Sequence, residues 1–292
     1  ASGKTEVSIA LARRLNAEII CCDSMQVYRG MDILTSKAPA RARKKIPHHC
    51  VNFVPVASEY DVSQYRLKAL AAARAILKRG RVPLFVGGTG LYMSVLIDGI
   101  FDMKAGDERV RRRLYARIER IGSAALHRRL ALVDPSAALK IHPNDARRIV
   151  RALEVYEVTG KPISELQKTR RGLADEFDVR IFCLDLQRDE LYRRIDERVE
   201  LMFSRGLIPE VKRLLKKRLS RTASRAIGVS EVAAYLAGRI SRDGAALLMK
   251  KNTRNYARRQ MTWFRKDRRI KWIRVFPDET ATTMCAKIEK RL

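Results

Sequence analysis

Apolar positions recur at helical spacing through residues 4–15, where Val7, Ile9, Leu11 and Leu15 make one side. The next run, Glu18-Ile19-Ile20-Cys21-Cys22, reads as a buried strand that ends abruptly at Asp23-Ser24. Residues 64–79 predict a second helix, stopped by Gly80, a residue favoured just past a helix end. Residues 82–86 predict another strand, which runs into Gly87-Gly88-Thr89-Gly90 and a helix from Leu91. Alternation of this kind predicts a parallel α/β sheet covered by helices on both faces. Ligands of such sheets sit beyond the carboxyl ends of the strands, and Asp23 and Thr89 each stand at such an end.

From Asp107 to about Arg171 the pattern is arginine-rich helix with no strand signal, and residues 179–185 then restore a strand. Residues 107–171 are therefore expected as a helical insertion into a domain built from 1–106 and 172–292. Further helices are expected over 190–205, 209–219, 229–236 and 244–264, with a last strand over 272–276 before a C-terminal helix. The chain shows no internal repeat and no low-complexity linker.

Charge adds a partner to this picture. The 292 residues hold 61 Lys+Arg against 32 Asp+Glu, a formal net charge of +29. The excess is spread along the chain and densest in its last part. It points to a polyanion, nucleic acid foremost; the alternative is an arginine-rich solvated surface. With 46% hydrophobic and 32% charged residues the composition argues for a globular chain and against extended disorder. No apolar run approaches the ~20 residues of a membrane helix, so no membrane partner is expected. Five cysteines without a CxxC pair fit a reducing cytosol, hence a cytoplasmic location.

Several short motifs carry candidate chemistry. Gly3-Lys4-Thr5 before a helix reads as the end of a phosphate-binding loop. In such a loop backbone N–H groups cradle phosphate, Lys neutralises it and the Thr hydroxyl ligates Mg²⁺. Asp23 is placed to face the bound phosphates, or else serves as a helix or turn cap. Thr89 lies among glycines that let another group approach the backbone, or that simply make a tight turn. His48-His49 is better read as structural than as a metal site. The segment from Arg258 to Arg269 interleaves aromatics with cations, which suits phosphate and base contacts or, in part, burial of Trp263 and Phe264.

Taken together, these residues resemble the tRNA dimethylallyltransferases (tRNA isopentenyltransferases) over essentially the whole chain. The resemblance rests on Ala1-Ser2-Gly3-Lys4-Thr5, on the stretch from Asp23 to Asp32, and on Val86-Gly87-Gly88-Thr89-Gly90-Leu91-Tyr92. It continues through His142-Pro143-Asn144-Asp145 with Arg148, the run Arg151–Val155, and Thr159-Gly160. Late matches are Arg194-Ile195 with Arg198, Ile227-Gly228 with Glu231, and the run Arg259–Arg265. Departures are Val229-Ser230, where the family usually has Tyr-Lys, and Leu34-Thr35-Ser36-Lys37, where Gly-Thr-Ala-Lys is commoner.

The resemblance implies transfer of a dimethylallyl group from dimethylallyl diphosphate to N6 of the adenosine 3′-adjacent to a tRNA anticodon. It implies a P-loop-like fold in which Ala1, Ser2, Gly3, Lys4 and Thr5 hold diphosphate, Thr5 holds Mg²⁺, and Arg194 or Arg198 adds a clamp. Asp23 is implied as the base and Thr89 as the residue that orients the amine or the diphosphate. Implied tRNA contacts are Asp23, Ser24, Met25, Gln26 and Thr89. Arg111 and the stretch Arg147, Arg148, Ile149, Val150 and Arg151 join them from the insertion. The later ones are Arg225, Ala226, Ile227, Gly228, Val229 and Ser230, then Arg258, Arg259, Gln260, Met261, Thr262, Trp263, Phe264 and Arg265. A monomer is expected.

Two rivals share parts of this pattern: a P-loop nucleotide or metabolite kinase, and a non-catalytic RNA-binding protein. Label from dimethylallyl diphosphate or from ATP, followed with and without tRNA, separates the three. A P-loop fold also places a buried strand before its phosphate loop, and this sequence opens on the tail of that loop. Loss of roughly four buried aliphatic side chains removes ~6–12 kcal/mol, against a typical domain stability of ~5–15 kcal/mol. The 292 residues alone are therefore expected to fold poorly and to bind dimethylallyl diphosphate weakly.

Overall fold

Six consecutive buried residues, Ala17–Cys22, form strand β1 at the centre of a three-stranded parallel sheet. The computed structural model describes residues 2–101 and 106–292, so Ala1 lies outside the described residues. The short strand β2 (His48–His49) pairs with β1 through Ile19 and Ile20. On the other side, β3 (Val82–Gly87) runs in register with β1 from Ala17 opposite Val82 to Cys22 opposite Gly87. A second parallel pair joins β4 (Ile181–Leu186) to β5 (Ile270–Val275). The one continuous sheet expected from the apolar runs is thus two parallel pieces. Among the described residues β3 and β4 each have a ladder partner on one side, and their apolar residues stay largely half-buried.

The chain divides into two compact units, Ala1–Val95 with Asp178–Leu292, and Leu96–Phe177. The first begins with α1 (Lys4–Arg14), α2 (Ala40–Lys45), α3 (Val62–Lys78) and α4 (Gly90–Ile97), whose last turn crosses the boundary. The second holds only helices among its described elements. These are α5 (Glu108–Ile121), α6 (Ser123–Val133), α7 (Pro135–Ala138), α8 (Ala146–Thr159) and α9 (Ile163–Leu166), besides short 3-10 turns. The first unit resumes with α10 (Arg188–Ser204), α11 (Leu207–Leu215), α12 (Val229–Leu236), α13 (Arg242–Phe264) and α14 (Ala281–Glu289).

Helix ends follow their caps. Asp61 Oδ1 accepts from Ser63 N at 2.8 Å and Gln64 N at 2.9 Å, while Gln64 Oε1 accepts from Asp61 N. This capping box starts α3 at Val62, ahead of its apolar pattern. Helix α1 spans both sheet pieces: Val7 and Leu11 pack with Leu186, Ile273, Val275 and Met284, and Leu84 of β3 joins the same cluster. The largest core lies elsewhere, where Val27, Tyr28, Met31 and Leu34, on the segment after β1, pack against α10 to α13. Among the described residues no helix is long and apolar enough to cross a membrane.

Glu18 in β1 is 3% exposed and takes three donors, which also accounts for His49. His49 Nε2 lies at 2.7 Å, Arg79 Nη2 at 2.8 Å and Arg81 Nη1 at 3.3 Å. Burial alone raises a carboxyl pKa, but hydrogen bonds from His49, Arg79 and Arg81 outweigh it and leave Glu18 below its ordinary 4.5. A depressed folded pKa gives stability that is complete above the ordinary value and lost as pH falls through the lowered one. Glu18→Gln should therefore cost about 2–3 kcal/mol at pH 7 in urea unfolding. The gap to the parent protein should close progressively below pH 4.5.

Candidate active site

The candidate site takes the N-terminus of α1 and the carboxyl ends of β1 and β3, segments far apart in the chain. Gly3 takes the left-handed conformation (φ +76°) and its carbonyl accepts from Val7 N, so α1 opens directly behind Lys4. Lys4 Nζ donates to Ser2 Oγ at 3.0 Å. Desolvation lowers the pKa of Lys4, as does the Arg198 guanidinium, while Cys183 and Asp23 pull the other way. Arg198, on α10, is lowered by burial too, with Asp23 opposing. Its Nε is buried and has no hydrogen-bond partner among the described residues. Burial pushes the thiol of Cys183, on β4, up to about 11, against the pull of Lys4.

Asp23 begins a tight turn rather than a helix. Its Oδ1 accepts from Met25 N at 2.9 Å and Gln26 N at 3.3 Å, and Oδ2 accepts from no described residue. Thr89 opens α4: its N–H donates to Cys22 O, and its carbonyl accepts from Tyr92 N and Met93 N. Thr89 Oγ1 accepts from Ser24 N at 3.0 Å, which ties the two strand ends together. Gln26 is held inside by Cys21 Sγ and the carbonyl of Thr35, and Met25 packs against the core. The hydroxyl of Thr5 has no hydrogen-bond partner among the described residues. It lines a cavity of about 40 Å³ with Ser8, Cys21, Gln26, Arg43 and His48.

The structure separates the two arginines on α10. Arg194 is paired with Glu190 one turn earlier and donates to Pro277 O at 2.8 Å. Arg198 stands with Lys4 and Asp23. The Glu190 spacing is the sequence signal that distinguishes them. A residue that motif reading missed is Tyr256 on α13, which stands near Thr89, Gln260 and Asp23. Burial raises its pKa first and nearby Asp23 raises it further, while Thr89, Gln260 and Arg259 lower it. Its signal is the helical spacing to Gln260 and Trp263.

Continuous stretches expected to contact RNA break up along the helix period. In the second unit Arg147 and Arg148 are exposed, whereas Ile149 and Val150 are 0% and 1% exposed and belong to the core. Arg111 Nη2 lies 2.9 Å from Glu154 Oε1, and Arg151 Nη1 3.0 Å from Oε2 of the same buried carboxylate. In the first unit Arg225 is exposed, Ala226, Gly228 and Val229 are buried, and Ile227 packs against the core. Ser230 Oγ donates to Glu231. On α13 and just after it, Arg258, Arg259, Thr262, Trp263 and Arg265 are exposed, and Met261 and Phe264 half-buried.

Comparison with known proteins gives this arrangement a context. The family model for the IPP transferases matches residues 26–267. A tRNA dimethylallyltransferase 2 of Geotalea uraniireducens is 47% identical over 97% of this chain and 91% of its own length. A tRNA dimethylallyltransferase of Geobacter sulfurreducens is 46% identical over 94% and 88%. The solved tRNA isopentenylpyrophosphate transferase of Bacillus halodurans superposes with a TM-score of 0.71 at 37% identity, over 100% of this chain and 93% of that one. A eukaryotic dimethylallyltransferase acting on tRNA gives 0.75 at 30% identity, over 94% and 71%. The chain belongs to the IPP transferase family, the tRNA dimethylallyltransferases.

Proposed function

We propose that this chain transfers a dimethylallyl group from dimethylallyl diphosphate to N6 of the adenosine 3′-adjacent to a tRNA anticodon, on a P-loop-like sheet. The observation that carries the reading is a pair of cations, Lys4 and Arg198, beside a carboxylate with one unengaged oxygen. The C–O bond to diphosphate breaks as a C–N bond to the base forms. Lys4 and Arg198 take up the charge that develops on the leaving diphosphate. Arg194 is committed to Glu190 and Pro277, which favours Arg198 as the clamp. The amine loses a proton, for which Asp23 Oδ2 is the available acceptor. Thr89 Oγ1, bonded to Ser24 N, orients the amine.

Mg²⁺ fits what the site offers. It favours a coordination shell of water and substrate phosphate with one or two protein oxygens, and the unpartnered hydroxyl of Thr5 is such a donor. Thr5 and the diphosphate would hold the ion, which supplies charge neutralisation to the leaving group when bound. No cluster of three or more His, Cys, Asp or Glu that would favour another metal occurs among the described residues.

For the RNA, α13 presents an open cleft of about 240 Å³ lined by Arg258, Arg259, Thr262, Trp263 and Lys266. An aromatic face beside cations suits stacking of an unpaired base with phosphates alongside. In the second unit, read as an insertion that grips the stem-loop, Arg147 and Arg148 are free for phosphate, while Glu154 orients Arg111 and Arg151.

Labelled dimethylallyl diphosphate incubated with the protein and tRNA should place its label on tRNA; label that stays off tRNA rejects the reading. Asp23→Asn should leave both substrate affinities near parental while single-turnover transfer falls by ~10²–10⁴. Arg198→Gln should weaken diphosphate binding at least ~10-fold, the weight of one charged hydrogen bond. Arg194→Gln should instead lower the melting temperature and leave that affinity nearly unchanged. Binding of tRNA should fall log-linearly with salt, and Arg148→Gln with Arg265→Gln should flatten the slope by roughly one to two. A parent slope near zero would refute the electrostatic account.

A further inference from the structure

The peptide unit between Gly88 and Thr89 is held from two opposite sides. It is trans and planar, so its carbonyl and its N–H point in opposite directions. The N–H, that of Thr89, donates to Cys22 O on β1 at 3.2 Å. The carbonyl, that of Gly88, accepts from Gln260 Nε2 on α13 at 2.6 Å. Strand and helix thus fix one plane by its two ends, and rotation of that plane is the motion that would swing Thr89. On its far side Thr89 is fixed by α4, since its carbonyl accepts from Tyr92 N and Met93 N. Its Oγ1 then meets Ser24 N at 3.0 Å and Ser24 Oγ at 3.4 Å.

The amide of Gln260 also lies against Gly88 itself. A Cβ there would stand 2.3 Å from Nε2, and its next neighbours would be Cδ and Oε1 of the same side chain. One turn further along α13 the Trp263 ring lies on Gly90, where a Cβ would stand 2.5 Å from Cδ1. Helix and turn are therefore in contact at two successive points. Nε2 of Gln260, a residue that the resemblance implies as a tRNA contact, is engaged inside the protein.

We infer that Gln260 is a positioning residue: its side-chain amide holds the Gly88–Thr89 peptide plane against Cys22 and so sets the direction of Thr89 Oγ1. This rests on the proposed function for its catalytic consequence, whereas the hold itself is read without substrate. Gln260→Met keeps the length of the side chain and removes its amide. Hydrogen exchange at the Thr89 and Ser24 amides, whose bonds depend on that plane, should speed up about tenfold, the weight of one hydrogen bond. Unchanged exchange at both overturns the inference. Single-turnover transfer at saturating substrates should also slow about tenfold, with both KM values within about twofold of the parent. A raised tRNA KM with a parental rate would make Gln260 an RNA contact and overturn the inference too. Gly88→Ala is the converse change: its Cβ displaces the flexible end of Gln260, to which its three nearest atoms all belong. It should reproduce both effects, and takes the place of Gln260→Met if that variant melts early; parental exchange and rate in Gly88→Ala overturn the inference. In a Thr89→Ala background Gln260→Met should slow transfer no further. A full tenfold loss there would mean that Gln260 acts apart from Thr89 and would equally overturn it. A parent that transfers no label refutes the functional reading, while exchange at Thr89 and Ser24 still decides whether Gln260 holds the turn.

Discussion

Two cations beside one carboxylate set the terms for the rest of the molecule. Lys4 and Arg198 repel each other in surroundings that already disfavour charge, and Asp23 offsets this only in part. Such an arrangement persists only if rigid elements hold it. Lys4 is fixed by α1, which packs across both sheet pieces, and Arg198 by α10, whose Ile195 and Val199 are 1% exposed. A polyanion placed beside the two cations would relieve a repulsion as well as gain contacts.

Acids are scarce here, and the buried ones serve as anchors. Glu154 orients Arg111 and Arg151, Glu231 accepts from Gly228 N and Asn252, and Glu18 gathers His49, Arg79 and Arg81. Each buried carboxylate is surrounded by donors, as the cost of desolvating a charge requires. An arginine-rich chain thereby acquires fixed side-chain directions without neutralising its outer surface.

Strands β1 and β3, the helices around them and the placement of Asp23 and Thr89 at strand ends were legible because long apolar runs and glycine turns encode them locally. The two-residue β2 was not, since His48-His49 has no strand pattern and pairs only because β1 offers an edge. Division of the sheet was equally hidden, because apolar character says that a strand wants burial and not which strand will lie beside it. Of the candidate site residues, Lys4, Asp23 and Thr89 came from motifs, and Arg198 came only as an alternative to Arg194. The different employment of Arg194 needed its partner Pro277, 83 residues away. Tyr256 lies 167 positions beyond Thr89, outside any motif, and its place near that residue depends on how α13 is laid down. Ile149, Val150, Ala226 and Val229 show the converse error, a contiguous stretch read as a surface when a helix turns some of its residues inward.

Glu210 on α11 gives the loop after Asp23 a history as well as a shape. Its carboxylate accepts from three successive backbone N–H groups, Asp32 and Ile33 at Oε2 and Leu34 at Oε1, across 176 to 178 residues of chain. Those donors have no such acceptor until residue 210 has been synthesised. The second unit, by contrast, closes Arg111 onto Glu154 over a separation of 43, and loops of that length close at lower entropic cost. On an emerging chain the middle of the sequence can therefore reach its native form while residues 32–34 wait. A loop made early in synthesis is thus among the last to be fastened.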